Sequence, residues 1–177
     1  NASGRIDERV AAAGGRVERV RLGALHEGMA REREAGHGGT ELVFAAEPWK
    51  HVHPDHGGWI DGVASAAVLT RLVAERSLHE RGAAITERPY RKLSVDCPDE
   101  RKAAAMATLG ERLPESFPEA DVATEYGVRL TFPDDSWTLV RPSGTEPYLR
   151  LYAESDDVDA LVEELSAVVE AAVESAD

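Results

Sequence analysis

The feature that most constrains this 177-residue sequence is a set of three short segments with strand character, in the first two of which apolar and polar residues alternate. They are residues 128–132, 137–140 and 148–153. A period of two is typical of strands with one buried face. The turn residues Pro133-Asp134-Asp135-Ser136 separate the first two segments and predict a hairpin. The chain is therefore expected to build an antiparallel sheet in this region.

The neighbouring segments predict a further strand and two helices that would cover one face of this sheet. Residues 90–95 have the pattern of another strand, and a helix is predicted from Pro98 or Asp99 to Arg112. The last helix carries apolar residues at helical spacing: Leu161, Val162, Leu165, Val168, Val169 and Ala172. These patterns predict a small α+β domain over residues 84–177, with a mostly antiparallel four-stranded sheet and two helices.

Residues 1–83 have a different pattern, in which helices and strands alternate. The predicted elements are a helix at 5–12, a strand at 16–22, a helix at 25–34, a buried strand at 41–46 and a packed helix at 62–81. This order favours part of an α/β domain with a mixed sheet. A linker is predicted over Gly82–Pro89, where the pattern resets.

Charge and composition exclude several classes of function. Acidic residues outnumber basic ones 33 to 20, so the surface repels nucleic acid and resembles the acidic, halophile-like surfaces that stay soluble at high salt. No apolar run approaches the roughly 20 residues of a membrane span. Cys97 is the only cysteine, which excludes an intrachain disulfide and suits a reducing compartment. A cytoplasmic protein without a membrane or nucleic-acid partner is expected.

The segment Arg141-Pro142-Ser143-Gly144-Thr145-Glu146-Pro147 connects two of the predicted strands. A guanidinium, two hydroxyls and the amides beside a glycine are the donors that a phosphate dianion requires together. Arg150, on the following strand, supplies a second cation. The alternative is an ordinary turn whose hydroxyls satisfy their own backbone.

Continued by Leu149-Arg150-Leu151-Tyr152-Ala153-Glu154, this segment resembles the phosphate-binding segment in the last domain of the α-D-phosphohexomutases. That family includes phosphoglucomutase, phosphomannomutase and phosphoglucosamine mutase. The resemblance implies an isomerase that interconverts hexose 1-phosphate and hexose 6-phosphate in carbohydrate metabolism. It also implies that Arg141, Ser143, Gly144, Thr145 and Arg150 bind the phosphate. Residues 1–83 would be part of the third domain of such an enzyme, and residues 84–177 its fourth.

A second segment resembles the sugar-binding loop of the same family, Gly-Glu-x-Ser-Gly-His. Ala46-Glu47-Pro48-Trp49-Lys50-His51 stands at that place, and Asp61-Gly62 opens the following helix as in the family. Glu47 and His51 match the motif, whereas Trp49 replaces the serine and Lys50 the glycine. The resemblance implies that Glu47, Trp49 and His51 contact the sugar.

The same stretch permits another interpretation, because His51, His53, Asp55 and His56 have the spacing of a dinuclear metal site in metallo-β-lactamase-like hydrolases. Such a site needs further histidines and an aspartate downstream, and only His79 follows. A metal-dependent hydrolase is therefore the second hypothesis.

Two motifs of the complete phosphohexomutases do not occur in this sequence. These are the Ser-His-Asn-Pro context of the phosphorylated serine and the Asp-Gly-Asp loop that holds Mg²⁺. The chain is thus expected to be part of a longer enzyme whose N-terminal domains carry the serine and Mg²⁺, and to be inactive alone, with neither a catalytic residue nor a metal of its own. A non-catalytic phosphosugar-binding module is the third hypothesis.

Overall fold

The structure is a computed structural model that describes residues 2–35 and 41–176. Within them the helices are α1 (Gly4–Ala12), α2 (Leu25–Ala35), α3 (Gly62–Glu75), α4 (Leu78–Gly82), α5 (Lys102–Ser116) and α6 (Val158–Glu174). The strands are β1 (Ala45–Glu47), β2 (Lys50–Val52), β3 (Tyr90–Asp96), β4 (Asp121–Ala123), β5 (Val128–Thr131), β6 (Trp137–Pro142) and β7 (Tyr148–Glu154). One compact unit comprises Glu18–Thr86, and the other comprises Asn1–Val17 with Glu87–Asp177.

The sheet of the second unit confirms the predicted antiparallel architecture. In the described residues its strand order is β3-β7-β6-β5-β4, with every neighbouring pair antiparallel. The prediction of four strands is wrong because β4 adds a fifth at the edge. Its three residues are all exposed and pair only with β5, so they carry no alternation of apolar and polar residues by which to recognise a strand.

Alternation along the central strands sends one set of side chains towards α5 and α6. The buried cluster formed there joins strand residues to helix residues and includes Val128, Leu130, Val140, Leu149, Leu151, Leu109, Leu113, Leu165 and Val169. Each such side chain contributes about 1.5–3 kcal/mol when it is removed from water. Trp137, Leu139 and Tyr152 form a separate buried cluster, because they leave the opposite face of the sheet.

The unit Glu18–Thr86 has a small core of Leu25, Met29 and Val52. The predicted strand at 16–22 is wrong, since these residues form no regular element. The predicted buried strand at 41–46 is also wrong in extent: β1 begins at Ala45 and forms a two-stranded antiparallel hairpin with β2. Phe44 is 48% exposed because this hairpin offers no second neighbouring strand to bury it.

The predicted helix over 62–81 is divided into α3 and α4. Its start is as predicted, because the Asp61 carboxylate caps α3 by accepting from the amides of Val63 and Ala64 at 2.8 and 3.0 Å. A capping box between Ser77 and Glu80 starts α4. None of the residues of α3 is buried, which corrects the expectation of a packed helix. In the described part of the chain, no helix has the length and apolar content needed to cross a membrane.

Candidate functional site

The segment 141–147 lies where β6 ends and β7 begins. Its ends are fastened by backbone hydrogen bonds: the amide of Ser143 donates to the carbonyl of Tyr148 at 3.0 Å, and the amide of Cys97 donates to the carbonyl of Pro147 at 2.9 Å. Pro142 and Pro147 restrict φ on both flanks. The segment is therefore a short, constrained connection on the strands that form the centre of the sheet.

Arg141 on β6 is the direct cross-strand partner of Arg150 on β7. Directly opposed residues leave the same face of a sheet, so the two guanidinium groups share the face that also carries Tyr152. Arg141 Nη2 donates to Tyr152 Oη at 3.0 Å. Like charges in this position destabilise a sheet, and an anion placed between them would remove that cost.

Arg150 joins this pair to the connecting segment. Its Nη2 lies 3.4 Å from both Ser143 Oγ and Tyr148 Oη, and its Nε is buried without a hydrogen-bond partner among the described residues. Hydrogen bonding to Tyr152 raises the pKa of Arg150 above its ordinary value. The site therefore presents a permanent cation that keeps unused donor capacity.

The three predicted residues between the arginines lie in the connection itself. Ser143 is buried, and its Oγ lies 3.5 Å from the amide of Thr145. Gly144 is exposed, and a Cβ at this position would meet nothing within 4 Å. Its φ is outside the left-handed region, so the backbone does not require a glycine there. Without a side chain at this position, an anion can approach the backbone amides.

Sequence reasoning missed two residues that shape this site. Lys102, the first residue of α5, donates from Nζ to the carbonyl oxygens of Ser143 at 2.8 Å and Glu146 at 2.5 Å. Gly127 has φ +118°, and a Cβ there would lie 2.4 Å from the Val140 carbonyl oxygen and 2.8 Å from Arg141 Cβ. An isolated glycine just before a strand is a weak signal for such a close approach, whereas the contact of Lys102 has no signal in the sequence.

The predicted sugar-binding residues lie on the β1–β2 hairpin of the other unit. Both carboxylate oxygens of Glu47 are engaged: Oε1 accepts from the Gly23 amide at 2.7 Å, and Oε2 accepts from Lys50 Nζ at 2.9 Å. The bond to Lys50 is the main reason that the pKa of Glu47 is lowered. Glu47 pairs with Lys50 and Ala46 pairs with His51, so the pleat places Glu47 and His51 on opposite faces of the hairpin.

Trp49 lies at the tip of this hairpin. Its backbone is in the left-handed region at φ 67°, and its side chain is 98% exposed. A large aromatic residue rarely adopts this conformation, so the turn carries some strain. The exposed indole is available to a ligand, and it takes no part in the buried core of its unit.

The histidines of the metal hypothesis make other contacts. His53 Nε2 lies 3.0 Å from Ser65 Oγ, and the His53 and His56 rings are 6.1 Å apart. The His51 ring lies 5.8 Å from the ring of Phe44. Among residues 2–35 and 41–176, no group of three or more histidine, cysteine or acidic side chains has an arrangement that would hold a metal ion. The geometry gives the hydrolase hypothesis no support.

Comparison with known families identifies the sheet domain. A family described as phosphoglucomutase/phosphomannomutase, C-terminal domain, matches residues 93–172. Through this domain the chain belongs to the phosphoglucomutase/phosphomannomutase family. The matched range contains the Arg141–Arg150 pair, the connecting segment, Lys102 and Gly127.

Curated relatives match most of the length of this chain. It is 40% identical over 154 residues to a phosphopentomutase of Thermococcus kodakarensis, with 85% of this chain and 32% of that protein covered. It is 40% identical over 156 residues to a probable phosphoglucosamine mutase of Methanopyrus kandleri, again covering 85% of this chain and 32% of the relative. The chain thus spans about a third of the length of these curated relatives.

A solved structure supports the family fold. The chain resembles a phosphoglucomutase/phosphomannomutase family protein from Burkholderia thailandensis with a TM-score of 0.64 and 22% identity. The likeness covers 84% of this chain and 31% of that one. At this identity the likeness concerns the fold alone.

Proposed function

We propose that the segment 141–147 binds the phosphate group of a sugar phosphate. The observation that carries this proposal is the direct opposition of Arg141 and Arg150 across β6 and β7, beside the exposed residue Gly144. A protein with a net charge of −13 has little reason to place two arginines directly opposite each other on neighbouring strands unless an anion joins them.

The side chains on this face suggest how the phosphate is held. Arg141 exchanges its hydrogen bond to Tyr152 for one to a phosphate oxygen, and Arg150 directs its unused Nε towards the same group. The hydroxyls of Ser143 and Thr145 and the Gly144 amide complete the donor set. Charge-assisted hydrogen bonds of this kind are roughly twice as strong as neutral ones.

The family supports a role for this binding in phosphoryl transfer between two positions of a sugar. A phosphate held away from the reacting end fixes the orientation of the whole substrate, so that binding energy lowers the barrier of a step that takes place elsewhere. We assign no nucleophile to the present chain. Its contribution to a longer mutase would be to position the substrate.

The substrate class is best described as a sugar phosphate. The sequence resemblance favours a hexose phosphate, whereas the names of the relatives include a pentose and a glucosamine substrate. Independently of the phosphate site, we propose that the β1–β2 hairpin contacts sugar hydroxyls. The exposed indole of Trp49 would stack on a sugar face, and His51 would donate a hydrogen bond to a hydroxyl. Glu47 would accept from a hydroxyl only after it releases its hydrogen bond to Lys50 or to the Gly23 amide.

Mg²⁺, which the family resemblance implies, has no suitable ligand set in the described ranges 2–35 and 41–176. No step of the proposal therefore involves a metal bound to these residues. We propose that the metal belongs to the parts of the longer relatives that this chain does not match.

Calorimetric titration of the chain tests the proposal. Glucose 1-phosphate, glucosamine 1-phosphate and ribose 1-phosphate are the test ligands, and unphosphorylated glucose is the control. We expect at least one phosphate ester to bind and glucose not to bind, and we expect Arg141→Gln to lower the affinity at least about tenfold. Arg112→Ala, which removes an exposed cation from α5, should leave the affinity unchanged. Equal binding by the wild type and by Arg141→Gln would contradict the proposal.

A further inference from the structure

Lys102 contacts two backbone carbonyls of the segment 141–147 and one carboxylate outside it. Its Nζ lies 2.8 Å from the Ser143 carbonyl oxygen, 2.5 Å from the Glu146 carbonyl oxygen and 2.6 Å from Asp99 Oδ1. The lysine side chain is only 12% exposed, and its bond to the Ser143 carbonyl is partly buried. An ammonium group has three hydrogens, and three acceptors account for all of them.

The contact with Ser143 fixes the direction of the neighbouring amide. The peptide bond between Ser143 and Gly144 is trans, and in a planar trans peptide the C=O and N–H groups point in opposite directions. Because the Ser143 carbonyl points to Lys102, the Gly144 N–H points away from the lysine. The contact with the Glu146 carbonyl fixes the other end of the four-residue stretch from Ser143 to Glu146.

We infer that Lys102 is a positioning residue that holds the Gly144 amide and its neighbours in the geometry that binds an oxyanion. This inference rests on the proposed phosphate-binding function. Lys102 does not bind the anion itself, because its hydrogens are already engaged. Its effect is to order an exposed connection before the ligand arrives, which lowers the conformational entropy lost on binding.

The positioning role of Lys102 differs from a simple effect of its positive charge. A lysine near an anion site also raises affinity through its electric field alone, and that effect is screened by salt, whereas the contacts with two carbonyls depend on the geometry of the side chain. Arg112, on the same helix and exposed, provides the matched control because Arg112→Ala removes one positive charge without touching the segment. Lys102→Met keeps a long side chain but removes all three donors.

The experiment is a ¹H–¹⁵N NMR titration of the chain with glucosamine 1-phosphate and, separately, with inorganic phosphate. In the ligand-free state, Lys102→Met should change the shifts and speed the hydrogen exchange of the amides of Gly144 and Thr145, and Arg112→Ala should not. On titration, the dissociation constant of Lys102→Met should rise about tenfold, because the loop must now be ordered by the ligand. Thermal unfolding checks that each variant is folded.

The outcomes distinguish this inference from the proposed function. If the wild type binds neither ligand, the proposed function fails, and the inference fails with it. If the wild type binds and Lys102→Met binds equally well, the inference alone is overturned. Should Lys102→Met not fold, Lys102→Gln, whose shorter neutral amide stops short of the carbonyls, takes its place with the same expected loss. Loss of folding in both variants would make Lys102 a structural residue and would also overturn the inference.

Discussion

Arg141 and Arg150 face each other across the two strands that flank the candidate phosphate-binding segment. Within residues 2–35 and 41–176, each guanidinium is held by tyrosine hydroxyls rather than by a carboxylate: Arg141 by Tyr152, and Arg150 by Tyr148 and Tyr152. Neutral partners orient the two cations without neutralising them. Repulsion between the two arginines lowers the stability of the ligand-free protein, and a bound anion would restore that stability.

Gly127→Ala should destabilise the fold and disturb Arg141. A Cβ at Gly127 would overlap the Val140 carbonyl oxygen and Arg141 Cβ, and the φ of +118° is unfavourable for alanine. We expect the free energy of unfolding to fall by about 2 kcal/mol or more, measured by urea denaturation. Gly110→Ala in α5, where a Cβ meets nothing within 4 Å, is the control and should stabilise by about 0.5–1 kcal/mol. Equal stability of the two variants would refute the close approach.

Gly144→Ala should separate binding from stability. The position has room for a methyl group and does not use a left-handed backbone, so the free energy of unfolding should change by less than about 0.5 kcal/mol. The methyl group would nevertheless hinder a phosphate that approaches the amide, and affinity for a sugar phosphate should fall several-fold. Unchanged affinity would mean that the ligand does not approach the backbone at this residue.

Thr138→Val should stabilise the protein. Thr138 is fully buried between Leu130 and Ala153 on the helix-covered face, and its Oγ1 has no hydrogen-bond partner among the described residues. Replacing the unsatisfied hydroxyl by a methyl group should add about 1 kcal/mol to the free energy of unfolding. The half-buried Thr131 is the matched control, because Thr131→Val on the opposite face of the β5–β6 hairpin should change little. A loss of stability in Thr138→Val would indicate that the hydroxyl has a partner.

Glu47 should make the stability of the unit Glu18–Thr86 depend on pH. The bonds from Lys50 and the Gly23 amide lower its pKa in the folded state, so the folded chain binds its proton less tightly than the unfolded chain does. The stabilisation is fully present above the ordinary carboxyl pKa of 4.5 and is lost as the pH falls through the lower folded value. Glu47→Gln should therefore lose stability relative to the wild type at neutral pH, and the difference should vanish at low pH. A difference independent of pH would contradict the ion pair.

Patterns local in sequence predicted the elements of the sheet domain except the exposed strand β4, because the buried residues of the other elements recur at the period of a strand or a helix. The apolar spacing of Leu165 and Val169 and the alternation of Leu149 and Leu151 agree with their positions in the core. The same reasoning failed in the first unit, where the residues around Phe44 are apolar but lie in or beside a hairpin with few neighbours. An apolar run indicates that burial of its side chains is favourable, but it does not indicate which neighbouring element would cover them.

The segment 141–147 was recognisable because its donors are consecutive in the sequence. The contact of Lys102 with Ser143 joins residues 41 positions apart, and no local pattern indicates it. Gly127 depends in the same way on what lies opposite it, since its conformation and the neighbouring Arg141 decide its role. Ligand-binding donors can thus be read from a motif, whereas the residues that position them require the fold.

The most direct test of the account is a crystal structure of the chain with glucosamine 1-phosphate bound. The account predicts phosphate oxygens about 2.7–3.1 Å from the Arg141 guanidinium and from the Gly144 amide nitrogen, with Lys102 still on the Ser143 and Glu146 carbonyls. A phosphate bound elsewhere, with Arg141 still hydrogen-bonded to Tyr152, would contradict it.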